Sequence, residues 1–108
     1  MSKYAAVSAS ASGDNTVVAA VAGQKIVLLS YIVIAAGDVS ITWKSGASTS
    51  LSGAMALAAN GGAAPSAGPL APGAIIGMLE TAAGEALVLN LSAAIAVGGH
   101  ITYRLVTV

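Results

Sequence analysis

Residues 25–37 read KIVLLSYIVIAAG, a nearly unbroken apolar run in a chain of 108 residues. How this stretch folds decides the fold. A membrane-spanning helix takes about 20 apolar residues. This run is shorter, and Gly23 on one side and Gly37-Asp38 on the other bracket it. Its Ile and Val content favours a strand. In a regular strand one face carries Ile26, Leu28, Ser30, Ile32 and Ile34, and the other carries Val27, Leu29, Tyr31, Val33 and Ala35. Both faces are apolar, so both call for a cover. One cover is the domain core; the second is another sheet, a long loop or a neighbouring subunit.

Outward from this run the chain keeps a β rhythm. Residues 5–12 alternate small apolar residues with Ser, Gly13-Asp14-Asn15 reads as a turn, and TVVAAV (16–21) as a second strand. In VSITWKSG (39–46), Val39, Ile41 and Trp43 share one face and Ser40, Thr42 and Lys44 the other. Residues 51–57 and 74–81 are weaker candidates. EALVLNLS (85–92) aligns Leu87, Leu89 and Leu91, and HITYRLVTV (100–108) aligns Ile101, Tyr103 and Leu105 after a Gly98-Gly99 turn. About eight short strands between Gly-rich turns predict an all-β sandwich or barrel in one domain, 1–108. Residues 58–73, AANGGAAPSAGPLAPG, hold all three prolines and predict one long surface loop.

Charge is scarce: four bases, four acids, zero formal net charge and 56% hydrophobic residues. A monomer of this mass exposes roughly 5,000 Å², and small soluble domains devote about 25–35% of their surface positions to charge. The deficit predicts a homo-oligomer or a larger assembly. Lys3, Lys25, Lys44 and Arg104 are scattered, which gives no nucleic-acid footprint. Without cysteine there is no disulfide framework and no thiolate metal site. No apolar segment follows Lys3 to make a secretory signal.

Signs of catalysis are few. His100 is the only histidine, no GxSxG elbow accompanies it, and a capped or solvent-facing strand-end histidine is its plainer reading. Glu80 and Glu85 flank a candidate turn, where paired carboxylates suit glycosidic chemistry but more often are solvated rim charges. No catalytic, cofactor or metal residue is assigned, and no enzyme is expected. Trp43, Tyr4, Tyr31 and Tyr103 are either a sugar-stacking platform or, more simply, core and interface packing.

Four phrases taken together, the WKSG strand end, LSGAMALAANGG, ETAAGEALVLNLSAA and VGGHITY, resemble a family of small tailed-bacteriophage virion proteins. The likeness spans roughly residues 10–103. It implies a jelly roll similar to the tumour-necrosis-factor fold, assembled as a trimer, with the role of a capsid decoration (cement) protein on the outside of the head. The implied partners are further copies of the chain and the major capsid protein, with no nucleic acid, membrane, cofactor or small-molecule substrate. The implied location is the capsid exterior, after synthesis in the host bacterial cytoplasm. Trimerisation would supply the second cover for the opening stretch, with Val27, Leu29, Tyr31 and Val33 as the seam. Candidate capsid contacts are Ser2, Lys3 and Tyr4 of an N-terminal arm (1–4) and Pro65, Pro69, Leu70 and Pro72 of the long loop. Where the family carries an aromatic pair before the ETAAGE turn, this chain has Met78 and Leu79. The alternative is a trimeric receptor- or glycan-binding module of a tail fibre or lectin-like domain, using Trp43 or the loop tips.

Overall fold

A computed structural model describes residues 3–64 and 79–107. Within these residues ten strands build two antiparallel sheets. The first sheet contains β1 (Lys3–Ala9), β3 (Gln24–Ala35), β7 (Gly62–Ala63), β8 (Leu79–Glu80) and β10 (Val97–Thr107), ordered β1-β10-β3-β7, with β8 also on β3. The second contains β2 (Gly13–Val18), β4 (Val39–Ser45), β5 (Thr49–Ser50), β6 (Met55–Leu57) and β9 (Leu87–Leu91), ordered β2-β9-β4-β5, with β6 also on β4. No described helix is long and apolar enough to cross a membrane; the opening run is the strand β3.

The two inner faces meet in one core. The second sheet supplies Val39, Ile41 and Trp43 from β4 and Leu87, Leu89 and Leu91 from β9, the sets that strict alternation predicts. The first sheet supplies Val7, Ala9, Val97 and Ile101, with Tyr103 and Leu105 packed at the margin. Trp43 is completely buried and meets the Tyr31 ring edge-on, with centroids 5.1 Å apart at 60°. Its backbone is also pinned: the N–H donates to Ser52 Oγ at 3.0 Å, and the carbonyl accepts from the Leu51 and Ser52 N–H groups.

The opening run departs from regular alternation. Opposite β10, Ser30 faces Thr102 and Leu28 faces Tyr103, so Leu29 is an extra residue on β3. Such a bulge switches which side chains point inward. Tyr31, Val33 and Ala35 enter the core on one side of it, and Ile26 and Leu28 on the other. The expected seam of Val27, Leu29, Tyr31 and Val33 therefore does not exist as one face. Tyr31 and Val33 belong to the sandwich core, Leu29 sits at the bulge, and Val27 is buried on the outer side between Arg104 of β10 and Glu80 of β8.

Two expected turns are strand. Gly13-Asp14-Asn15 opens β2, and the reversal comes just before it. There the Asn15 side-chain amide donates to the Ala11 carbonyl at 2.9 Å and to the Gly13 carbonyl at 3.1 Å. Gly98-Gly99 lies inside β10. Gly99 has φ +156°, and a Cβ there would run into the Ile32 carbonyl of β3. The glycine permits close backbone approach, not a reversal. Lys3 and Tyr4 are paired residues of β1 and not a free arm. Gly62 and Ala63 form a short strand within the expected loop, while Ser2, Pro65, Pro69, Leu70 and Pro72 lie outside the described residues.

Candidate assembly surface

The outward faces of the two sheets differ in chemistry. On the second sheet, Asp14 of β2, Asn90 of β9 and Lys44 of β4 converge. Lys44 Nζ lies 3.1 Å from Asp14 Oδ1 and donates at 2.8 Å to the Ala47 carbonyl, and the Asn90 amide donates to Asp14 Oδ1 at 2.7 Å. The Asn90 hydrogen bond, followed by that from Lys44, holds the Asp14 carboxyl below the usual carboxylate range. Ser40 and Thr42 continue this polar, solvated face.

The first sheet is different above the bulge. The strand register places Tyr4, Ala6 and Ser8 of β1 beside Thr102, His100 and Gly98 of β10. Those in turn lie beside Ser30, Ile32 and Ile34 of β3, with Gly62 of β7 next to Ile34. All alternate with core residues and so point outward. None of the eight formally charged side chains falls in this set. Tyr4 is 83% exposed and Ile34 49%, the two most exposed large hydrophobic residues among those described. Below the bulge the same sheet becomes charged, with a Lys25–Glu80 ion pair at 3.0 Å and with Arg104 opposite Val27.

His100 is in the middle of the uncharged area, paired with Ala6 on one side and Ile32 on the other, and is exposed. It lies within a strand instead of capping one, and Glu80, a carboxylate on the same outer face, is set beyond the bulge opposite Val27. Nothing in the spacing of the sequence marks this histidine as central. Only the register of three strands brings it there.

The other chemistry-bearing residues are committed to structure. Glu80 binds Lys25, whereas Glu85 accepts a short hydrogen bond from the Ser45 hydroxyl, so the two glutamates serve different strands. Ser45 is almost fully buried and also accepts from the Ala82 N–H at 3.0 Å, latching the β8–β9 connection to the end of β4. Thr81, also buried, extends the β8 pairing: its hydroxyl accepts from the Ile26 N–H at 3.0 Å, and its own N–H donates to the Ile26 carbonyl at 2.9 Å. A shallow, open cleft of about 510 Å³ lies between Asp38, Ser40, Leu57 and Ser92. Its one carboxylate, Asp38, accepts from the Ala59 N–H at 3.1 Å. No group of three or more potential metal-ligating side chains occurs among the described residues. Trp43, with no exposed surface, is a core residue and cannot stack on a sugar.

No family model, curated protein or solved structure matches this chain.

Proposed function

We propose that this chain is a structural, self-associating module and that it serves as a bacteriophage head-decoration protein. It would assemble as a trimer on the outer capsid surface and bridge neighbouring major capsid subunits. The observation that carries self-association is the contrast between the two outer faces. One holds an Asp14–Lys44–Asn90 network; the other, above the bulge, presents Tyr4, Ile32 and Ile34 with no charged side chain among their cross-strand neighbours. Apolar area leaving water contributes about 25 cal/mol per Å², and uncharged outer strands are prone to association unless covered.

The area also bears on the reading. Four strands about 4.8 Å apart and five residues long make a patch on the order of 300 Å². A stable interface takes about 800 Å² per partner. The patch supplies less than half of that area, so the proposed contact needs further surface beyond it.

Strand order supports the finer description as a jelly roll. If β5 with β6 and β7 with β8 are each taken as one interrupted strand, eight strands divide four and four. The chain then alternates between sheets at every step except the short turn through residues 46–48, which joins β4 to β5 within the second sheet. The capsid role and the threefold state rest on the resemblance of the WKSG, LSGAMALAANGG, ETAAGEALVLNLSAA and VGGHITY phrases. No chemistry is required of such a protein. The burial of Trp43 removes the main support for the glycan-binding alternative.

The test is co-sedimentation of purified protein with expanded phage capsids that lack their decoration protein. Saturable binding at a fixed ratio to the major capsid protein is expected. Absence of binding to capsids from any tailed phage tried, together with binding to a glycan array, would replace this reading with the receptor-binding one.

A further inference from the structure

We propose that Asn60 is a self-modification site: attack by the Gly61 backbone nitrogen converts it to isoaspartate, and the product can no longer hold the β7 edge on β3.

The chain has three asparagines, Asn15, Asn60 and Asn90, followed by Thr, Gly and Leu. Asn15 and Asn90 lie in strands, and their carboxamides are engaged, by the Ala11 and Gly13 carbonyls and by Asp14 respectively. Asn60 is exposed, and its carboxamide makes no hydrogen bond among the described residues. Its φ of +61° lies in the left-handed region, which asparagine tolerates better than most residues with a side chain. Gly61 has no side chain to obstruct the approach of its nitrogen to Asn60 Cγ. The Gly61 N–H is held by the Ala58 carbonyl at 2.8 Å, so the attack waits on a local opening of the turn. The edge strand that follows is only two residues long, Gly62–Ala63, and such edges open readily.

The step balances with water as its one co-reactant. Gly61 N bonds to Asn60 Cγ, the Cγ–Nδ2 bond breaks, and Nδ2 leaves as ammonia from a five-membered succinimide. Water then opens the ring. Addition at Cγ gives aspartate; addition at the main-chain carbonyl gives isoaspartate, in which the chain runs through Cβ and Cγ. Either product carries a new carboxylate and is about 1 Da heavier.

Ala35 of β3 grips both sides of this link. Its carbonyl accepts from the Asn60 N–H at 2.8 Å, and its N–H donates to the Gly61 carbonyl at 2.8 Å. Isoaspartate inserts a methylene between those two groups, so Ala35 cannot keep both bonds. The edge cannot recover by sliding one residue, because Ala63 in the place of Gly62 would drive its Cβ into the Val33 carbonyl. The Gly62–Ile34 and Ala63–Val33 pairs are lost with the Ala35 bonds, and one edge of β3 is left uncovered.

The experiment incubates the protein at pH 8.5 and 37 °C beside a synthetic peptide of residues 55–64 as the unfolded reference. Intact mass, fragmentation that separates isoaspartate from aspartate, and hydrogen exchange at the Ala35 N–H are followed. Asn60→Gly keeps the left-handed turn without a carboxamide, and Asn60→Asp carries the charge on an unaltered backbone. The expected result is a gain of about 1 Da at Asn60 alone, slower than in the peptide, with isoaspartate as the main product. Protection at Ala35 is lost in step with conversion, while Ala36, whose N–H donates to the Ala96 carbonyl, stays protected. Asn60→Gly shows neither change, and fresh Asn60→Asp keeps Ala35 protected. A protein still unmodified when the peptide is fully converted overturns the proposal. So does conversion to isoaspartate that leaves Ala35 protected. Equal loss of protection in fresh Asn60→Asp also overturns it, by assigning the release to charge instead of to the lengthened backbone.

Discussion

Replacing Trp43 with alanine tests whether this side chain is packing or a binding platform. The ring has no exposed surface and contacts Tyr31 edge-on at 5.1 Å. An aromatic side chain buries about 150–250 Å², which at about 25 cal/mol per Å² amounts to about 4–6 kcal/mol. The edge-on pair adds about 0.5–1.5 kcal/mol. Against this, the indole Nε1 is buried without a hydrogen-bond partner among the described residues, and its removal recovers about 1–3 kcal/mol. The balance is a loss of about 3–5 kcal/mol, in the range seen for large-to-small core substitutions. Trp43→Phe keeps a ring and discards the unpaired N–H, so it should cost less than half as much. Trp43 is the only tryptophan, and its fluorescence disappears with the substitution. Urea unfolding is therefore followed by far-ultraviolet circular dichroism, at one fixed protomer concentration because association contributes to apparent stability. A loss below about 1 kcal/mol for Trp43→Ala would refute the reasoning, since a ring at the centre of a single core cannot be removed so cheaply.

Further outcomes follow from other contacts. Ser45→Ala leaves the Ala82 N–H and the Glu85 carboxylate without their shared hydroxyl and should cost about 1–3 kcal/mol in the same unfolding assay. Gly99→Ala places a methyl group against the Ile32 carbonyl at φ +156°. It should cost about 1–3 kcal/mol in backbone strain alone, seen as a lower unfolding midpoint or loss of soluble protein. Asp14 is held below the ordinary carboxylate range by Asn90 and Lys44. Its contribution is therefore present above the unfolded value of 3.8 and lost as pH falls through the lower folded value. Asp14→Asn should lower the melting temperature slightly at pH 7 and leave it unchanged near pH 2.

Much of this architecture can be read from the sequence wherever alternation is unambiguous. Val39, Ile41 and Trp43 alternate with Ser40, Thr42 and Lys44, and they occupy the inner and outer faces of β4 as expected. The same holds for Leu87, Leu89 and Leu91. Within β3 the pattern carries no phase, because both alternating sets are apolar. The bulge at Leu29 is consequently silent in the sequence, and it moves Tyr31 and Val33 into the core. Gly98-Gly99 misleads for a different reason. Paired glycines usually mark reversals, whereas here Gly99 is needed because the β3 backbone passes too close for a Cβ. The uncharged face is legible only as a deficit in composition. Its location depends on cross-strand register among β1, β10 and β3, which no local pattern encodes.

The central claim is that this face is covered by further copies of the chain. The most direct measurement is the solution mass at pH 8 by light scattering after size-exclusion chromatography, across a dilution series to low micromolar, for wild type and for Ile34→Asp. Ile34 is half exposed and outside the core, so the substitution should leave protomer stability within about 0.5 kcal/mol. A wild-type mass three times the 10.3 kDa protomer, reduced to a single protomer by Ile34→Asp, is the predicted result. A wild type that stays at one protomer mass at every concentration contradicts the account, as does an assembly that Ile34→Asp leaves untouched.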